Sequence, residues 1–152
     1  MRLSNLLSER VIILDLSAED KWAFFRTVSR ILAEESGLKA RRIEEALCER
    51  ERLGSTALGE GVALPHARVP LLPRLYVSLA RSLKGLEFDS PDGKPVKIIF
   101  TVLAPEEESA LYLRCLSHLA RLLREKDFRE GLLSARSFQE ILKVVRRFDR
   151  EF

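Results

Sequence analysis

GEGVALPHARVP, residues 59–70, is where this chain stops reading as helix. Gly54, Gly59, Gly61 and Pro65 cut the sequence into segments too brief for helices, because glycine loosens the backbone and proline removes a donor. His66, one of only two histidines in the chain, stands directly behind Pro65 in an otherwise apolar run. Further on, Leu75 to Leu83 alternates in polarity and Val96 to Leu103 is almost wholly apolar. Both read as strands, the second buried on both faces. Between them GLEFDSPDGKPV predicts a short edge strand or extended stretch, then a Pro-Asp-Gly turn.

Upstream of this centre the pattern is helical. Val11 to Leu14 is rich in β-branched residues and predicts a first strand. Ser17 with Asp20 three positions on is an acidic variant of the capping box, so a helix is expected from near Ala18 to Ser36, with Gly37 as its C-cap. Trp22, Phe25, Val28, Ser29, Leu32 and Ala33 form its inner face. A second helix, Ala40 to Arg52, carries a stripe through Ile43, Ala46 and Leu47 that continues onto Arg50 and Leu53. Arg50 is therefore expected to face inward and Arg52 to lie on the polar side with Glu45 and Glu49.

Downstream, Pro105 followed by Glu106, Glu107 and Glu108 predicts a helix start, with carboxylates at the positive end of the dipole. Tyr112, Leu116, Leu119 and Leu123, widened by Leu113 and Ala120, form its core stripe, which leaves Arg114, His118 and Arg121 at the surface. Ser137 and Glu140 make a capping box for a closing helix through Phe138, Ile141, Leu142, Val145 and Phe148. Helices on either side of a run of strands imply a sheet covered on both faces.

The 152 residues, 46% hydrophobic and 32% charged, suffice for one domain with a genuine core and show no internal repeat. We expect a single domain over residues 1–152. No apolar run approaches the roughly 20 residues that span a bilayer, and the start of the chain breaks its hydrophobicity with Ser, Glu and Arg, so membrane insertion is not expected and a cytoplasmic location is. The net charge of +3 is spread over helices among 23 acidic residues, which describes a solvated surface rather than a nucleic-acid face. Cys48 and Cys115 stand apart beside apolar residues and read as buried thiols. Two widely separated histidines give no metal-ligand spacing, and no P-loop is present, so neither a metal nor a nucleotide cofactor is expected.

RERLGSTALGEGVALPHARVP, residues 50–70, together with LEFDSPDGKPVKIIFTVLAPEEESALYLRCLSHLARLL, resembles the enzyme IIA domains of the fructose/mannitol type in the bacterial phosphoenolpyruvate:sugar phosphotransferase system (PTS), including the nitrogen-regulatory branch. The most specific part is R-x-x-x-x-S-T followed by L-G-x-G-x-A-x-P-H. The resemblance implies an α/β fold, a three-layer α/β/α sandwich with a mixed sheet. It implies that His66 is the phosphoryl acceptor and that Arg50 stabilises the phosphoryl group. It also marks two departures: Ala67 replaces the family's glycine after the histidine, and Tyr112 replaces a second histidine. The implied partners are a histidine phosphocarrier as donor and an IIB-type protein or a regulated target as recipient. A sugar-specific component, or a phosphorylation-deficient regulatory binding module, is the alternative.

The chemistry of these residue types agrees. A neutral imidazole nitrogen is a competent nucleophile toward phosphorus, and an unperturbed pKa of about 6.5 leaves most histidine neutral near pH 7. A neighbouring arginine lowers that pKa further and can pair with phosphoryl oxygens. Ser55, Thr56 and Arg68 are the binding or orienting candidates. Whether Ser55, Thr56 or a backbone carbonyl holds the other ring nitrogen stays open at this level.

Overall fold

The apolar run from Val96 forms the centre of a six-stranded mixed sheet in the computed structural model, which describes residues 1–152. In chain order the elements are α1 (Leu3–Leu6), β1 (Ile12–Ile13), α2 (Lys21–Ser36), α3 (Ala40–Arg52), β2 (Ala57–Gly59), β3 (Val62–Ala63), β4 (His66–Val69), β5 (Tyr76–Leu86), β6 (Val96–Pro105), α4 (Ala110–Arg124), α5 (Lys126–Ser134) and α6 (Phe138–Phe148). β6 pairs antiparallel with β5, which carries the parallel β1 on its far side. β3 and β4 both run parallel along the other edge of β6, and β2 pairs antiparallel with β3. Register is the same on both sides of the gap between β3 and β4: Val62 lies opposite Ile98 and His66 opposite Val102. They form one strand line, interrupted at Leu64–Pro65 where proline brings no N–H to the ladder. His66 is the first residue beyond the interruption.

Tyr76 and Arg81 on β5 are separated by an odd number of positions, so their side chains leave opposite faces of the sheet. The Tyr76 hydroxyl approaches the Glu35 carbonyl of α2 at 3.5 Å, while Arg81 donates to the carbonyls of Leu132, Leu133 and Ala135 at the end of α5. Helices therefore cover both faces, and the α/β/α layering implied by the sequence is present. Phe24, Phe25, Phe88, Phe100 and Phe128 are fully buried, each worth about 1.5–3 kcal/mol relative to exposure. No helix is long and apolar enough to cross a membrane. Cys48 and Cys115 are free and buried, as expected.

Several local expectations are corrected. The first strand is only Ile12–Ile13, because Glu9–Val11 forms a 3-10 turn. α2 begins at Lys21 rather than Ala18: the Asp20 carboxylate, not Ser17, caps it by accepting from the Ala23 amide at 2.9 Å. Trp22 is turned outward, and Phe24 takes its place in the core. The stretch after β5 makes one bridge, Glu87 with Asp20, and then a turn closed by Gly93 N–H to the Ser90 carbonyl at 3.0 Å. β6 runs through Pro105, so α4 starts only at Ala110, and of the three glutamates Glu108 alone accepts from a first-turn amide, that of Leu111.

The phase of α4 also differs from expectation. Its buried line is Tyr112, Cys115, His118, Leu119, Leu122 and Leu123, with Leu113 exposed. His118 is thus a buried residue, not a surface one. Its Nε2–H donates to Asp149 Oδ1 at 2.8 Å, its Nδ1 accepts from Arg121 at 3.0 Å, and Phe152 stacks on the ring at 5.2 Å. The guanidinium can only donate, which fixes that tautomer. α5 is a further helix, beyond the elements the sequence patterns predict. A Cβ at Gly131 would stand 2.9 Å from a Val144 methyl, so the glycine lets α6 approach α5 closely.

Candidate functional site

The end of α3 delivers the first residues of the site. The buried line of that helix is Ile43, Leu47, Cys48 and Glu51. Arg50 therefore lies on its flank, half-buried, and donates to the Gly54 carbonyl at 3.0 Å. Leu53, expected to extend the stripe, is 85% exposed. Arg52 is exposed, as its helical phase predicts.

His66 is half-buried at the start of β4, and its Nδ1 lies 2.8 Å from the Leu64 carbonyl. A carbonyl only accepts, so Nδ1 carries the proton and the lone pair sits on Nε2. Of the three groups left open by the sequence, it is the backbone carbonyl that meets the ring. The Ser55 hydroxyl donates instead to the Phe88 carbonyl at 2.7 Å, and the Thr56 hydroxyl to Glu51 Oε1 at 2.6 Å. Burial pushes the His66 pKa below its ordinary value; the Arg50 charge pushes the same way, against an upward pull from the Leu64 hydrogen bond and the Glu51 carboxylate.

Strand alternation puts Arg68 on the same face as His66, with Ala67 and Val69 buried on the other. Ala67 sits in regular strand opposite Leu103, where its Cβ is accommodated. Tyr112 reaches the same place from the first turn of α4, its ring 6.1 Å from that of His66 between centroids. Arg68 lies over the Tyr112 ring at 5.1 Å and donates to the Ser109 hydroxyl at 3.3 Å. Burial pushes the Tyr112 phenol up to about 12, against the Arg68 and Arg50 charges, so it stays protonated near neutrality. Arg50, His66, Arg68 and Tyr112 therefore converge, while Ser55 and Thr56 support the loop beneath. The sequence did not point to Leu64, Ser109 or Glu51; only the last left a signal, at helical spacing from Ile43 and Leu47.

The arrangement is an imidazole with one lone pair, on Nε2, two cationic side chains and a neutral phenol. It can take an electrophile and hold the anionic oxygens that come with it. The family model described as "Phosphoenolpyruvate-dependent sugar phosphotransferase system, EIIA 2" matches residues 5–147. A nitrogen regulatory protein of Bradyrhizobium diazoefficiens is 36% identical over 145 residues, 95% of each chain. The crystal structure of nitrogen regulatory protein IIA-Ntr from Neisseria meningitidis superposes with a TM-score of 0.90 at 36% identity, covering 94% of this chain and 98% of that one. The Escherichia coli complex of enzyme IIA mannitol with phosphorylated enzyme IIB shares the fold, with a TM-score of 0.78 at 20% identity over 93% of this chain and 97% of that one.

Proposed function

The chain belongs to the EIIA 2 family of the phosphoenolpyruvate-dependent sugar phosphotransferase system, and on that premise we propose that it is a phosphohistidine carrier whose acceptor atom is Nε2 of His66. The observation that carries the reading is the hydrogen bond from His66 Nδ1–H to the Leu64 carbonyl, which leaves Nε2 as the one nucleophilic nitrogen. The donor is the phosphohistidine of a small phosphocarrier. Its P–N bond breaks as the Nε2 lone pair forms a new one, and the donor ring leaves with the electron pair. The His66 ring is then substituted on both nitrogens and cationic, a charge the Leu64 carbonyl stabilises. Arg50 and Arg68 meet the phosphoryl oxygens through charge-assisted hydrogen bonds worth about 1.5–3 kcal/mol each. Tyr112 offers one neutral donor where a histidine could offer a charged one. No metal or nucleotide is required by this chemistry.

Similarity to nitrogen regulatory proteins supports a regulatory role in which the phosphoryl state of His66 switches association with a target. Tyr112 supports it as well, because a neutral contact stabilises the departing phosphoryl group less than a charged one and the adduct persists longer. The partners are a histidine phosphocarrier and then a target protein, or an IIB-type acceptor in the sugar-specific alternative. The test is incubation with phosphoenolpyruvate, enzyme I and a histidine phosphocarrier, followed by intact mass with and without acid. An acid-labile phosphoryl adduct on the wild type and none on His66→Gln is expected. A wild type that takes up no phosphoryl group would leave only the phosphorylation-deficient binding module.

A further inference from the structure

One buried polar cluster contacts none of the reacting atoms described above. Glu51, 3% exposed, accepts three hydrogen bonds: from Lys21 Nζ at 3.1 Å, the Thr56 amide at 2.9 Å and the Thr56 hydroxyl at 2.6 Å. Lys21 is itself 4% exposed and meets Asp89 on its other side at 2.8 Å. Burial works to lower the Lys21 pKa, but the hydrogen bonds and charges of Asp89 and Glu51 outweigh it and raise the value, so the ammonium stays charged. A buried ion pair is a poor way to gain stability, since packed apolar side chains of similar volume often do as well or better. Three elements meet here: the first turn of α2, the last turn of α3 and the loop after β5.

What the cluster does supply is a fixed path to the imidazole. Glu51 closes the turn 51–56 through both donors of Thr56, and Arg50 closes it again through the Gly54 carbonyl. The Thr56 carbonyl then accepts the Leu64 amide at 3.0 Å, and the Leu64 carbonyl accepts His66 Nδ1–H at 2.8 Å. We propose that Glu51, locked by Lys21 and Thr56, is a positioning residue that holds the Leu64 carbonyl and Arg50 in register with the His66 ring and so selects its Nδ1–H tautomer. The inference rests on the carrier reading for its kinetic consequence, but not for its effect on the tautomer. Glu51 touches no reacting atom.

Thr56→Val removes the hydroxyl donor while keeping shape and leaving every charge in place, and Thr56→Ser restores the donor. Three quantities are measured on the intact chain: the His66 tautomer by NMR of histidine labelled with nitrogen-15, the rate of phosphoryl uptake from a histidine phosphocarrier, and the thermal midpoint. We expect Thr56→Val to give a mixture of His66 tautomers and roughly tenfold slower uptake, with Thr56→Ser close to wild type in both. Glu51→Gln should slow uptake and also move the His66 titration to lower pH, because the upward pull of the carboxylate is gone. If Thr56→Val and Glu51→Gln lower only the thermal midpoint and leave the tautomer and uptake rate unchanged, Glu51 is a structural strut and the proposal fails. A wild type that shows the Nδ1–H tautomer yet accepts no phosphoryl group would defeat the carrier reading instead, and the tautomer of the variants would still decide the positioning role.

Discussion

Arg50 and Arg52 differ by two positions in the chain and by everything that matters at the site. The Arg50 charge lowers the His66 pKa, and in the carrier we propose Arg50 also meets the phosphoryl oxygens. Because the folded pKa of His66 is depressed, the proposed phosphoryl uptake should be full above that value and fall as pH drops through it, below about 6.5. Arg50→Ala should move that fall to higher pH and slow uptake about 10- to 100-fold, the loss of one charge-assisted contact. Arg52→Ala should do neither, and equal slowing by both variants would contradict the assignment. Tyr112 is tested by onward transfer to an IIB-type acceptor. Tyr112→His should speed it about 5- to 30-fold by restoring a charged contact, whereas an unchanged rate would make the position packing alone.

Elements were legible where one stripe of apolar residues had one plausible face. α3 appears with the bounds its sequence predicts, and α6 starts at Phe138 behind the N-cap Ser137, whose hydroxyl accepts from the Glu140 amide at 3.1 Å. α2 was misplaced at its start because Ser17 and Asp20 are both good caps, and only the geometry shows that Asp20 accepts from the helix. Asp20→Ala should therefore cost about 1 kcal/mol in urea unfolding and Ser17→Ala almost nothing; the reverse order would refute the cap. α4 was rotated because leucines supply apolar surface on both sides of it. The face that His118 occupies is decided by Asp149 and Phe152, residues remote in sequence that no local pattern relates to it. At the candidate site, His66 stands out because proline and glycines isolate it, and Arg50 because it opens the R-x-x-x-x-S-T motif that carries the family resemblance. Glu51 does not, since a glutamate on a helix ordinarily faces water, and its burial depends on Lys21 from another helix.

At the scale of the molecule, the two ends of the chain meet on Asp149. Its carboxylate accepts from the amides of Leu3 and Ser4 and from His118, so α1, α4 and the end of α6 share one anchor. Burial opposes ionisation there, but the Ser4 amide, His118 and the Leu3 amide outweigh it and hold the carboxyl below its usual range. A depressed carboxylate stabilises the fold above its unfolded value, about 3.9, and that contribution is lost as pH falls through the lower folded value. Asp149→Asn should accordingly flatten the decline in urea stability on the acid side, and a decline as steep as in the wild type would remove Asp149 from the account. The sheet beneath carries both anchor and site: Phe100, fully buried on β6 beside the interrupted strand line, should cost about 3–5 kcal/mol when cut to alanine. All of this converges on one atom, Nε2 of His66. The most direct measurement is NMR of the phosphorylated protein with histidine labelled with nitrogen-15, read through phosphorus–nitrogen coupling. The account predicts a single phosphoryl group on Nε2 of His66 with Nδ1–H retained; coupling to Nδ1, a group on His118, or no adduct at all would contradict it.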